Sequence, residues 1–168
     1  MSSKPIINIG ILGLGVVGQG VLKHLNRNRK LLESRLGVRL KVSKIAVRNK
    51  RRKRDIQVNP RLLTEDGMEV VNDPSIQIVC ELIGGTTLAK QLTLEALKNG
   101  KIVVTANKAL LCEHGNQIIR AAGKAKDTCS SRRVWRAGFL SSNPYAKDWL
   151  PTGFPELMAF SMVPAIIY

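Results

Sequence analysis

Between Ile6 and Lys126 the apolar residues fall into short runs and helical stripes that take turns along the chain. Ile6 to Leu12 is a tight apolar run ending at glycine, the form of a buried strand. Val16 to Leu36 carries Val17, Val21, Leu22, Leu25, Leu31 and Leu32 at helical spacing, with basic residues between them, and predicts one helix. Val38 to Val47 predicts a second strand. Thr64 to Val71 predicts a short helix, stopped by the turn signal Asn72-Asp73-Pro74. Ile76 to Ile83 is a third, strongly apolar strand ending at Gly84-Gly85, and Thr87 to Lys98 is an amphipathic helix closed by Asn99-Gly100. Lys101 to Thr105 predicts a short strand and Ala109 to Lys126 a last helix. Strands alternating with helices imply an α/β fold: a parallel sheet with right-handed crossovers and flanking helices.

Composition divides the chain where this pattern stops. Residues 1–126 contain no Phe, Trp or Tyr; Trp135, Phe139, Tyr145, Trp149, Phe154, Phe160 and Tyr168 all come later, with Pro144, Pro151, Pro155 and Pro164. The boundary is placed near Lys126, giving an α/β domain over 1–126 and an irregular, poorly ordered tail over 127–168. Cys80, Cys112 and Cys129 stand far apart without paired spacing, so free thiols are expected, with no disulfide frame and no metal site. Met1 to Pro5 is a short polar start unlike a secretory leader, and no apolar run is long enough to span a bilayer. A cytoplasmic protein with no membrane partner is expected.

The net charge of +15 calls for a polyanionic partner. Gly13-Leu14-Gly15-Val16-Val17-Gly18 fits GxGxxG directly after a strand and opening a helix. Gly13 permits the tight turn, Gly15 lets a pyrophosphate approach the backbone, and Gly18 allows helix and strand to pack closely. The helix N-terminus adds free N–H groups and positive potential. This placement makes the domain a Rossmann-type dinucleotide binder. An NAD site would usually carry Asp or Glu at the end of the second strand. Here stand Arg48, Asn49, Lys50, Arg51, Arg52, Lys53 and Arg54, so NADP(H) is expected ahead of NAD(H), with Arg48 and Lys50 on the 2′-phosphate and the others in a solvated loop. Eight of the fourteen residues from Lys41 to Arg54 are basic, which also raises nucleic acid as a partner. The absence of stacking aromatics and of a recognition motif over 1–126 argues against specific nucleic-acid binding.

Two further stretches are more specific. Glu81-Leu82-Ile83-Gly84-Gly85-Thr86-Thr87 and Val103-Val104-Thr105-Ala106-Asn107-Lys108-Ala109-Leu110-Leu111 lie at the carboxyl ends of predicted strands, where open α/β sheets bind ligands. With ILGLGVVGQGVL and AVRN, they make residues 6–126 resemble the bacterial homoserine dehydrogenases. The resemblance implies a homo-oligomeric oxidoreductase that reversibly reduces aspartate 4-semialdehyde to homoserine with NAD(P)H, on the route to threonine and methionine. It assigns Gly13, Leu14, Gly15, Val16, Val17 and Gly18 to the pyrophosphate and Gly85 and Thr86 to the path toward the nicotinamide. Lys108 becomes the lysine at the junction of cofactor and substrate. An ammonium there stabilises developing alkoxide charge and helps relay a proton. His24 and His114 read as solvated helix residues, Cys80 as core, and Cys112 as too isolated for a nucleophile or ligand.

After Lys126 the resemblance stops, and the genetic code suggests why. Let each new codon take the last base of one observed codon and the first two bases of the next. Trp and Met have single codons, so four junctions are fixed: Trp135-Arg136 with a CGN arginine and Trp149-Leu150 with a CTN leucine both give alanine, while Met158-Ala159 and Met162-Val163 both give glycine. With the free bases chosen within the code, the shifted frame reads through ASVAGGIPI to NGTCNYI, the family's continuation, and all four fixed junctions agree. A frameshift between about Ala121 and Asp127 is therefore expected, with residues 127–168 translated out of frame. On this reading the family's substrate-binding acids, second catalytic lysine and dimer-forming sheet lie beyond the shift. The chain then binds cofactor without turnover and leaves a sheet edge open. The rival reading is a stand-alone NADP-binding or regulatory module with a genuine tail.

Overall fold

The computed structural model describes residues 4–128, with side chains over 4–124. Five parallel strands form one sheet: β1 (Ile6–Leu12), β2 (Arg39–Ala46), β3 (Leu63–Thr64), β4 (Ile78–Glu81) and β5 (Ile102–Thr105), in the order β3-β2-β1-β4-β5. Between them run α1 (Val16–Arg27), α2 (Arg29–Leu36), α3 (Met68–Val71) and α4 (Thr87–Lys98), and α5 (Lys108–Thr128) follows β5. This is the expected Rossmann-type α/β sheet. From β1 the chain winds outward through β2 to β3, returns, and winds the other way through β4 to β5. Ligand sites of open α/β sheets lie at such a reversal, outside the carboxyl ends of the strands.

Side-chain alternation in β1 divides the core. Ile9 and Ile11 face a cluster with Leu14, Leu22, Ile45 and Val47; Leu12 faces another with Val70, Val79, Leu92, Val103 and Leu110. Gly10, on the second side, leaves room that Val70 and Ile76 fill; a Cβ there would collide with Val70 Cγ1.

Three elements depart from the expected ones. The helix expected over 16–36 is two, parted at Asn28. The Asn28 backbone N–H donates to the His24 carbonyl at 3.0 Å and its Nδ2 to the same oxygen at 3.2 Å, so one residue closes α1 and opens α2. The helix expected over 64–71 is only α3; Leu63 and Thr64 instead pair with Ile45 and Ala46 as β3. Thr64 Oγ1 then accepts the Asp66 N–H and Asp66 Oδ1 the Met68 N–H, two polar turns that delay the helix. The strand expected over 76–83 is trimmed to β4, because Ile76 N–H closes a turn on Asp73 and Ile83 N–H is taken by the Glu81 side chain.

Candidate functional site

The glycine turn lies at the reversal. Gly13 has φ +95°, and its N–H donates to the Ala46 carbonyl at the end of β2 (2.9 Å). A Cβ on Gly13 would lie 2.6 Å from the Leu82 carbonyl oxygen beyond β4, so the turn threads between the two neighbouring strand ends. Gly15, the N-cap of α1, has open space where a side chain would stand. A Cβ on Gly18 would collide with the Gly13 carbonyl, so glycine there lets the first turn of α1 close over the loop. Val16 is 89 % exposed and Val17 also projects outward, whereas Leu14 is buried in the core and offers only backbone to a ligand. Helix-terminal N–H groups beside an open glycine cradle fit the pyrophosphate of a dinucleotide.

On the other side of the reversal stands a polar network that the sequence reading did not single out. Glu81, at the end of β4, is fully buried. Its Oε1 accepts the Ile83 N–H at 2.8 Å and its Oε2 the Thr105 hydroxyl at 2.5 Å. Thr105 Oγ1 in turn accepts the Asn107 N–H at 3.0 Å. Asn107 then bridges three segments: Nδ2 donates to the carbonyls of Ile83 (3.0 Å) and Gly85 (2.7 Å), and Oδ1 accepts the Leu110 N–H in the first turn of α5 (3.1 Å). Burial pushes the Glu81 carboxyl above its ordinary value, against hydrogen bonds from Thr105, Ile83 and Asn107 that pull it down. The signal was present in the sequence: a carboxylate closing an otherwise apolar strand, and an asparagine just ahead of a helix.

Asn107 thus ties the Gly85 loop to the start of α5, where Lys108 stands. Gly85 has φ +85°, Thr86 is the N-cap of α4, and Lys108 is exposed as the first residue of α5. Arg48 and Lys50 are exposed beyond β2, and the Lys50 N–H is held by Glu65 Oε1 at 2.9 Å. Cys80 lies in β4 against the first cluster, its thiol pushed up to about 12 by burial, and Cys112 is exposed on α5. His24 pairs with Asn28, and His114 stands 3.8 Å from Glu113. Among the described residues no His, Cys, Asp and Glu cluster fits a metal ion, and no helix is long and apolar enough to cross a membrane. Cys129 and the tail over 127–168 fall outside the residues with described side chains, so the expected frameshift, tail and open edge find no test there.

A parallel sheet that reverses at β1, with a glycine turn and a helix N-terminus at the reversal, defines a Rossmann-type dinucleotide-binding domain. The family model described as the NAD-binding domain of homoserine dehydrogenase matches residues 13–129, and the chain belongs to the homoserine dehydrogenase family. It is 46 % identical over 119 residues to homoserine dehydrogenase of Pseudomonas aeruginosa, covering 71 % of this chain and 27 % of that enzyme. It is 45 % identical over 108 residues to that of Methylobacillus glycogenes, covering 64 % and 26 %. Among solved structures, homoserine dehydrogenase of Staphylococcus aureus at pH 8.5 superposes with a TM-score of 0.69 at 37 % identity, over 74 % of this chain and 31 % of that one. That of Thiobacillus denitrificans gives 0.68 at 42 %, over 74 % and 29 %. The chain spans about a quarter of the length of the curated relatives it matches.

Proposed function

We propose that residues 1–126 form the cofactor-binding domain of a homoserine dehydrogenase and bind NADP(H) in preference to NAD(H). The family activity is the reversible reduction of aspartate 4-semialdehyde to homoserine, in which the nicotinamide supplies or accepts the hydride. Gly13, Gly15 and Gly18, with the N–H groups opening α1, hold the pyrophosphate; Leu14, Val16 and Val17 contribute backbone or flank it. Arg48 and Lys50 take the 2′-phosphate. Gly85 and Thr86 border the nicotinamide path, and in an intact family enzyme the Lys108 ammonium would stand beside the reacting carbonyl, where it would stabilise negative charge and help relay a proton. The observation that carries this reading is the Asn107 bridge, which binds the Gly85 loop to the helix turn bearing Lys108.

Residues 127–168 are read as an out-of-frame translation of the family's continuation, so this cytoplasmic chain is expected to bind cofactor without turnover. Calorimetric titration of the full chain is the test. NADPH should bind at least about tenfold more tightly than NADH, the scale of one charge-assisted phosphate contact. Equal affinities would overturn the NADP(H) assignment, and no binding of either would overturn the cofactor site. Homoserine oxidation by the purified chain would overturn the reading of the tail, as would unrelated DNA downstream of a confirmed frame.

A further inference from the structure

Six cations crowd into seven positions after β2, and by sequence they look alike: Arg48, Lys50, Arg51, Arg52, Lys53 and Arg54. Arg54 differs from the other five. They are exposed; it is half-buried, and its guanidinium is turned onto the loop's own backbone. Nη1 donates to the carbonyls of Lys50 (3.2 Å) and Arg52 (2.9 Å), and Nη2 to that of Asn49 (2.7 Å). Nε is buried and has no hydrogen-bond partner among the described residues. The planar fork therefore gathers three carbonyls around one side chain, which an ammonium on a flexible stem does poorly.

Two more bonds fasten the gathered loop to the frame. Glu65 Oε1, just beyond β3, accepts the Lys50 N–H, and Gln19 Oε1 accepts the Asp55 N–H at 2.9 Å. Gln19 follows Gly18 on α1, so the basic loop is tied to the helix that opens at the glycine turn. Adjacent like charges repel, and a loop of this composition without an internal clasp extends into solvent. Each cation would then have to be ordered at the moment of binding, and that ordering subtracts from affinity.

We propose that Arg54 is the positioning residue for dinucleotide selectivity: its clasp on the carbonyls of Asn49, Lys50 and Arg52 fixes the basic loop so that Arg48 and Lys50 meet a 2′-phosphate that Arg54 itself does not touch. This rests on the NADP(H) reading above. The division of labour is testable because charge and fork geometry separate on substitution. Arg54→Lys keeps the charge and loses the fork; Arg54→Ala loses both.

Titrations of the full chain with NADPH and with NADH, for wild type and both variants, decide the matter. Both variants should weaken NADPH binding by on the order of tenfold while NADH binding changes less than about twofold, with faster amide hydrogen exchange over 49–55. If Arg54→Lys keeps the wild-type NADPH preference, the charge alone suffices and the clasp role is overturned. Equal losses for the two nucleotides would reduce Arg54 to a folding residue and overturn it as well. A wild-type chain without NADPH preference would instead sink the underlying reading, and the Arg54 role with it. Arg54→Lys also guards against the alanine variant failing to fold.

Discussion

At the scale of single residues, the most consequential side chain is the buried acid Glu81. Its carboxyl gives up solvent yet accepts hydrogen bonds from Thr105 and from the Ile83 backbone, and desolvation prevails, raising its proton affinity above the ordinary value of 4.5. The sign follows directly. A raised folded-state value means the folded chain holds a proton that the unfolded chain has released, so the contribution of Glu81 to stability declines as pH rises from the ordinary carboxylate range to the folded value. Glu81→Gln keeps an acceptor for the Ile83 N–H and cannot ionise. Urea-unfolding curves taken at pH values rising from the ordinary carboxylate range should therefore show a shallower loss of stability in the variant than in wild type. Parallel profiles would mean that Glu81 does not carry this dependence. The residue scale is also where sequence reading was least able to sort equals. Arg54 is indistinguishable from its neighbours until the chain turn brings three carbonyls within its reach.

Elements were legible in proportion to their length and the regularity of their burial. β1, α1, α4 and α5 have apolar patterns that fix their type, and the turn at Asn99-Gly100 closes α4 as expected, with Gly100 at φ +69°. β3 was illegible because two residues carry no period; only pairing with β2 makes them a strand. The break falls at Asn28, whose side chain turns back to share the His24 carbonyl with its own backbone N–H, a local contact that an apolar pattern does not record. One position within α4 breaks the usual rule for buried polar groups. Thr93 is fully buried, and its hydroxyl has no hydrogen-bond partner among the described residues. Thr93→Val exchanges that hydroxyl for a methyl of similar shape and should raise stability by about 0.5–1.5 kcal/mol. Chemical denaturation with an unchanged slope would register this as a higher midpoint. A lower midpoint would mean that the hydroxyl has a bonding role after all.

For the whole molecule, the excess of positive charge is the property that most shapes its behaviour toward polyanions. Arg48, Lys50, Arg51, Arg52 and Lys53 project from one loop, while Arg54 is committed to the backbone. Such a patch gives counterion-release binding without sequence readout. Mixed-sequence duplex DNA should therefore retain the chain at low ionic strength and release it by about 0.15 M salt in fluorescence anisotropy. Retention beyond that would reopen nucleic acid as a partner.

The sequence by itself determined the α/β alternation, the glycine turn after β1, the cationic segment after β2 and the TANKALL stretch that opens α5, because each is a local matter of period, backbone freedom or motif. Tertiary structure decided which of these meet. Reversal of the sheet at β1 lets Gly13 thread between the ends of β2 and β4. Packing of β4 beside β5 brings Glu81 to Thr105, and Asn107 then ties the Gly85 loop to the turn that bears Lys108. The contacts of Glu81 with Thr105 and of Asn107 with Gly85 join residues more than twenty positions apart, and only the fold, which brings the strand ends together where polar groups must find partners, could select them.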